Sequence, residues 1–246
     1  MKAGKLLLEK FRDKKFAEIA VNKGRFDYSI KMDRMAEDLI IKLLKENGVE
    51  GRIIAEESGK MTLGTSDYNF YIDPLDGTFN YAHGIPHYGV SIGVEKDDEI
   101  VIGVIYDPNF DELFVAEKNK GAFLNGKQIT VSRTTVFERS IVNAFSGDLK
   151  EYPNLANAYV SLVRNTIVRM PMTAVLALAY TACGRTDASI GFRQKEWDVA
   201  AGVLLVKEAG GKVTTVKGED YNLKSRDLVA SNGLIHKNLL EILGIE

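Results

Sequence analysis

From residue 51 onward the apolar residues stop recurring at every third or fourth position and gather into short runs, the first two of which end in acids. Ile53-Ile54-Ala55 leads into Glu56-Glu57, and Phe70-Tyr71-Ile72 leads into Asp73. Runs this short read as strands, so each delivers a carboxylate at a strand end. Before them the spacing is helical. Leu7, Leu8, Phe11 and Phe16 predict an amphipathic helix over 3–20, and Met35, Ala36, Leu39, Ile40, Leu43 and Leu44 predict one from Asp33 to a cap at Asn47-Gly48. Residues 22–31 are polar and read as a loop or exposed hairpin.

Further on, Tyr88–Glu95 and Glu99–Tyr106 read as strands joined by Lys96-Asp97-Asp98, and Asn125-Gly126 marks another turn. Residues 68–132 therefore predict an antiparallel sheet preceded by two helices. The second half alternates: strands at 140–145, 166–169, 187–190, 213–216 and 228–230, and helices at 154–164, 172–182, 197–209 and 234–243. The sum is an α+β chain of alternating layers. We read residues 1–246 as a single catalytic domain with two lobes, about 1–138 and 139–246.

Bulk properties exclude several classes. Thirty-two Lys and Arg against 34 Asp and Glu leave a net charge of −2 without a basic stripe, which argues against a nucleic-acid polymer as partner. No apolar stretch reaches the ~18 residues of a membrane span, and Met1-Lys2-Ala3-Gly4-Lys5 does not open a signal peptide. A single cysteine, Cys183, forbids an intrachain disulfide and suits a cytoplasmic setting.

The segment richest in chemistry is Ile72-Asp73-Pro74-Leu75-Asp76-Gly77-Thr78. Pro74 cannot donate to a ladder and predicts that the strand stops there. Two carboxylates three residues apart at a strand end suit a hard cation such as Mg2+. The amides of Gly77 and Thr78 at a helix start suit a phosphate. Taken alone, Asp76 is also explained by an Asx-turn and helix cap. Asp33 and Asp198 stand at helix starts, where capping is the alternative account. Glu56-Glu57 alone reads more readily as an exposed acidic loop. His83 and His87 lack a metal-binding helix spacing, and no nucleophile elbow or Walker loop is present.

Together these segments resemble the inositol monophosphatase family. The resemblance rests on Ala55-Glu56-Glu57-Ser58, on Ile72–Tyr81, and on Trp197-Asp198-Val199-Ala200-Ala201-Gly202 followed by Glu208-Ala209-Gly210-Gly211. It implies a layered αβαβα sandwich and a site for two to three Mg2+. Glu56, Asp73 and the Leu75 carbonyl would hold the first ion, and Asp73, Asp76 and Asp198 the second. Glu56 would also help hold a looser third. Asp33 and Thr78 would orient and deprotonate the attacking water. Lys23 is similar to a lysine of the family's mobile loop.

On the substrate side, the resemblance gives Asp76, Arg169, Thr173 and Ala174 as lining residues. Where inositol-preferring members carry a glutamate, this chain has Gly191, followed by the basic stretch Phe192-Arg193-Gln194-Lys195. Arg193 and Lys195 read either as a grip for a second phosphate or as a solvated loop. The implied activity is hydrolysis of small sugar or polyol phosphates, with fructose 1,6-bisphosphate and inositol 1-phosphate first. A strict inositol monophosphatase, a 3′-phosphoadenosine 5′-phosphate phosphatase and a non-catalytic regulatory homologue are the alternatives. Lithium sensitivity and a homodimer or higher homo-oligomer are family expectations.

Overall fold

The computed structural model describes residues 1–24, 27–144 and 154–244. Two helices come first: α1 (Lys2–Lys10) and α2 (Lys31–Glu46), with the short hairpin β1 (Ile19–Gly24) and β2 (Asp27–Ile30) between them. Then follow β3 (Gly51–Ala55), β4 (Gly59–Leu63), β5 (Asn69–Asp76), the short helix α3 (Thr78–Ala82), β6 (Gly89–Lys96), β7 (Glu99–Asp107), β8 (Glu112–Glu117), β9 (Gly121–Leu124) and β10 (Lys127–Ile129). These strands form an eight-stranded sheet in the order β10-β9-β8-β7-β6-β5-β3-β4. The second part comprises β11 (Ile141–Ala144), α4 (Leu155–Asn165), β12 (Ile167–Arg169), α5 (Ala174–Ala182), β13 (Ala188–Gly191), α6 (Glu196–Glu208), β14 (Lys212–Thr214), β15 (Leu228–Ser231) and α7 (His236–Leu243). Its five strands run β12-β11-β13-β15-β14.

The layers follow from where apolar side chains go. On one face of the large sheet, Leu7, Met32, Ala36 and Ile40 of the first helices pack on Ile53, Ile72 and Val90. On its other face, α5 and α6 lie between the two sheets, with Leu176 and Leu205 against Ile105 and Phe114 on one side and Ala230 on the other. Leu162, Leu239 and Leu243 of α4 and α7 cover the outer face of the small sheet. The result is an αβαβα sandwich. Its middle position explains why α6 is apolar all round, with Val199 to Val206 all buried, as a helix walled in on both sides must be. Close approach is built in: a Cβ on Gly93 would lie 2.5 Å from Ala200 Cβ, and one on Gly103, its cross-strand partner, 2.6 Å from the Ala201 carbonyl. Only glycine lets α6 sit this close to the sheet.

The turn expectations agree with the structure. Asp97 and Asp98 both have positive φ (54° and 59°) between β6 and β7, as do Asn125 (48°) and Gly126 (77°) between β9 and β10, the two-residue geometry that matches strand twist. Two expectations need correction. The first helix ends at Lys10 rather than reaching residue 20. Phe11 leaves the helix to pack its ring 5.3 Å from Tyr81 and 5.1 Å from Tyr88, and Arg12 turns left-handed at φ 68°. Strand β5 does not stop at Pro74; it continues to Asp76 through a bulge, its pairing with β6 jumping from Asp73↔Ser91 to Asp76↔Gly89. A bulge is where a sheet tolerates proline. The antiparallel sheet expected over 68–132 is present, β5 to β10 pairing antiparallel throughout, and β3 extends it by pairing parallel to β5. Of the 140–145 strand, Phe145 lies outside the described residues, and so does the Lys23 side chain.

Candidate active site

The parallel pairing of β3 and β5 is the foundation. Ile54 stands beside Tyr71 and Ala55 beside Ile72, so Glu56 and Asp73 leave adjacent strands at the same level. The Glu56 amide donates to the Ile72 carbonyl at 3.2 Å. Beyond the bulge come Leu75 and Asp76, then Gly77 at φ 92°. A side chain at Gly77 would press on the His87 carbonyl, 3.0 Å from a Cβ, so this turn into α3 requires glycine.

Four aspartates of the site each have one oxygen fixed by a backbone amide. Asp73 Oδ1 accepts from the Leu75 amide at 3.0 Å. Asp76 Oδ2 accepts from the Val175 amide at 2.7 Å and from the Thr173 hydroxyl. Asp198 Oδ2 accepts from the Lys195 amide at 2.8 Å, and Asp33 Oδ2 from the Ile30 amide at 2.6 Å. The capping accounts of Asp33 and Asp198 are therefore correct in part: each sits at the third helical position and caps backward. Capping fixes the carboxylate without using it up. Thr78 completes the pair with Asp33, its Oγ1 3.0 Å from Asp33 Oδ1 and 3.1 Å from the Leu75 carbonyl.

The electrostatics tie these acids together. Burial, then the charges of Glu56, Asp76 and Asp198, push the Asp73 carboxyl well above the carboxylate range. Burial and the Asp76 charge lift Asp198, with Glu56 adding to the shift and the Lys195 amide and ammonium opposing it. Burial takes Asp76 up to about 6 against the pull of its Thr173, Val175 and Gly77 hydrogen bonds. Asp33 rises to about 8, mainly by burial, with Glu56 and Glu57 adding to it. Among the described residues, no three of these carboxylates converge closely enough to form a complete cage of side chains; mutual repulsion opposes their closer approach. As a donor set they fit a hard divalent cation, being oxygen ligands whose excess negative charge a cation would neutralise.

These observations meet in one comparison. A profile described as the inositol monophosphatase family matches residues 1–245. The chain belongs to that family. It is 32% identical over 222 residues to a fructose-1,6-bisphosphatase/inositol-1-monophosphatase of Thermotoga maritima, covering 89% of this chain and 84% of that protein. It is 35% identical to the Nus factor SuhB of Escherichia coli strain K12, covering 97% of this chain and 90% of the relative. The structure superposes on the extragenic suppressor protein suhB from Bartonella henselae with a TM-score of 0.92 and 36% identity, covering 99% of this chain and 95% of the other.

The residues compared with the family's substrate side are spread more widely. Thr173 caps α5, accepting from the Leu176 amide at 3.3 Å while donating to Asp76, and Ala174 opens that helix, buried. Arg169, at the end of β12, points a guanidinium nitrogen to Asn143 Oδ1 at 3.4 Å. Burial of His87, and then the Arg169 charge, hold that imidazole down at about 4. Arg193 and Lys195 are exposed on the turn before α6, Arg193 with a left-handed φ of 55°. Sequence reasoning passed over Arg34, Glu37 and Asn143. Glu37 left a signal: it falls on the face of α2 that Ala36, Ile40 and Ile41 bury, where an acid has no business in an ordinary amphipathic helix.

Proposed function

We propose that this protein is a Mg2+-dependent phosphomonoesterase that hydrolyses small sugar and polyol phosphates with an activated water. The observation that carries this reading is the side-by-side placement of Glu56 and Asp73 by two parallel strands, with Asp76 and Asp198 coupled to them by charge. Glu56, Asp73, Asp76, Asp198 and the Leu75 carbonyl would hold two to three Mg2+, which supply charge neutralisation and a more acidic water. In-line displacement at phosphorus then asks mostly for positioning, and no protein nucleophile is needed. Thr78 Oγ1 accepts a hydrogen from the attacking water while giving its own to Asp33 Oδ1, with which it is already bonded. Asp33, its carboxyl raised to about 8 chiefly by burial, takes that proton in its ionised form. The amides of Gly77 and Thr78 would receive the phosphate.

For substrate, we favour fructose 1,6-bisphosphate and inositol 1-phosphate. Arg193 and Lys195 lead directly into Asp198, so a second phosphate could be gripped beside the first. Arg169, Thr173 and Ala174 would line the other side. The deciding experiment is phosphate release with Mg2+ or EDTA on fructose 1,6-bisphosphate, inositol 1-phosphate and 3′-phosphoadenosine 5′-phosphate. Turnover of inositol phosphate alone would make Arg193 and Lys195 surface residues; no Mg2+-dependent release from any of them would sink the reading.

The relatives named Nus factor favour a second reading, in which binding a macromolecular partner is the working role. A chain carrying Asp73→Asn that still performs its cellular task would support it. We also propose a homo-oligomer, since Ile167, Met170 and Met172 are exposed (55%, 55% and 45%) beside the edge strand β12; sedimentation tests this. Among the described residues, no helix is long and apolar enough to cross a membrane. A cytoplasmic setting is part of the proposal.

A further inference from the structure

Helix α2 brings more to the site than Asp33. One turn on, Glu37 is fully buried at 0% exposure, and its Oε2 accepts the amide of Glu57 at 2.8 Å. Arg34 donates from a guanidinium nitrogen to the Glu57 carbonyl at 2.9 Å. One helix thus holds both the N–H and the C=O of the residue that follows Glu56. On the other flank, the Glu56 amide is tied to Ile72, next to Asp73. Glu56 therefore stands on a three-residue turn between β3 and β4 that is pinned from both sides.

Stability alone does not account for Glu37. A buried carboxylate costs free energy unless its oxygens are bonded. Among the described residues, Glu37 Oε1 is buried with no hydrogen-bond partner, and so is Ser58 Oγ in the same turn. A neutral amide could hold the Glu57 N–H without a charge. A half-satisfied carboxylate in that place is a burden on the fold, of the kind found where function requires it.

We infer that Glu37 is a positioning residue for Glu56: with Arg34 it clamps Glu57, so that α2 sets the Asp33–Thr78 pair and the Glu56 carboxylate in one rigid frame. This rests on the reading of Glu56 as a Mg2+ ligand. Groups that orient a ligand from behind typically contribute about 10–100-fold to metal affinity.

The test compares wild type, Glu37→Leu, Glu37→Gln and Ile40→Ala, the last a buried apolar control on the same helix. Mg2+ affinity is read by calorimetry, Mg2+ activation by turnover, and stability by thermal melting. Glu37→Leu should weaken Mg2+ about tenfold by both readouts without lowering the melting temperature. Glu37→Gln, which still accepts the Glu57 amide, should recover to within about threefold, and Ile40→Ala should melt lower with Mg2+ affinity intact. If Glu37→Leu does not fold, Arg34→Met should weaken Mg2+ roughly threefold. The inference is overturned if Glu37→Leu, or in its place Arg34→Met, binds Mg2+ like wild type, if Ile40→Ala matches its loss, or if Glu37→Gln is no better than Leu. Should wild type bind Mg2+ with this order of variants but release no phosphate, the phosphatase reading fails and the inference stands. A wild type that takes up no Mg2+ defeats both.

Discussion

The first turns of α2 and α6 carry the same local device and have different neighbours. Each begins at a residue whose own side chain does not cap, Ile30 and Lys195, and each has an aspartate at the third helical position whose Oδ2 reaches back to that residue's amide. The local chemistry places both carboxylates with equal economy. What surrounds them differs. Asp33 is sealed from solvent and bonded to the Thr78 hydroxyl. Asp198 is half-buried, faces the charges of Asp76 and Glu56, and has the Lys195 ammonium nearby. In the proposed mechanism one cap would serve as a proton acceptor and the other as an ion ligand, a division of labour that the partners and not the turns would decide.

The largest effect expected in this site belongs to neither helix. Asp73→Asn should reduce Mg2+-dependent turnover on the order of a thousandfold while the protein melts no lower, since one of several repelling charges is gone. Turnover near the wild-type rate would remove the frame in which the two helices are compared. Next come Asp33→Asn and Asp198→Asn, which both keep an oxygen for the cap. Asp33→Asn should lower kcat about a hundredfold with Mg2+ half-saturation unchanged, and Asp198→Asn should raise Mg2+ half-saturation about tenfold or more. The same kinetic signature in both variants would break the distinction.

A smaller effect separates them by pH. A carboxyl raised from 3.8 in the unfolded chain to about 8 in the fold contributes stability that is complete below pH ~4 and is lost as pH climbs to ~8. His236, held down at about 4 by burial between Thr214 and Ser231, acts in the opposite sense only below pH ~6.5. Melts in EDTA between pH ~6.5 and ~8 should therefore fall for wild type and fall less steeply for Asp33→Asn, in which the raised carboxyls of Asp73 and Asp198 remain; an unchanged slope in that variant would mean Asp33 is already ionised. Smallest is the cap itself. At both helices the Ala variant should be less stable than the Asn variant by about 1 kcal/mol, measured by denaturant unfolding. A gap at one helix and none at the other would show that the two turns are not equivalent after all.

Much of this was legible in the chain because it is local. Asp97-Asp98 and Asn125-Gly126 need positive φ, which few residues accept, and the spacing in α2 and α6 marks helices whatever they pack against. The misreadings came where distant groups intervened. Phe11 left its helix for Tyr81 and Tyr88, some seventy residues away. The Asp73–Asp76 stretch stayed in the sheet because a bulge against β6 absorbed Pro74.

Sequence alone determined that acids stand at the ends of two apolar runs and at the starts of two helices, since strand ends and caps are set by neighbours a few positions apart. Only the tertiary structure decided that β3 and β5 run side by side in register, that glycines at 93 and 103 admit α6 close to the sheet, and that Glu37 reaches Glu57. Those are meetings of segments far apart along the chain. The periodicity of a segment says which face it buries, and says nothing of which other segment will cover it.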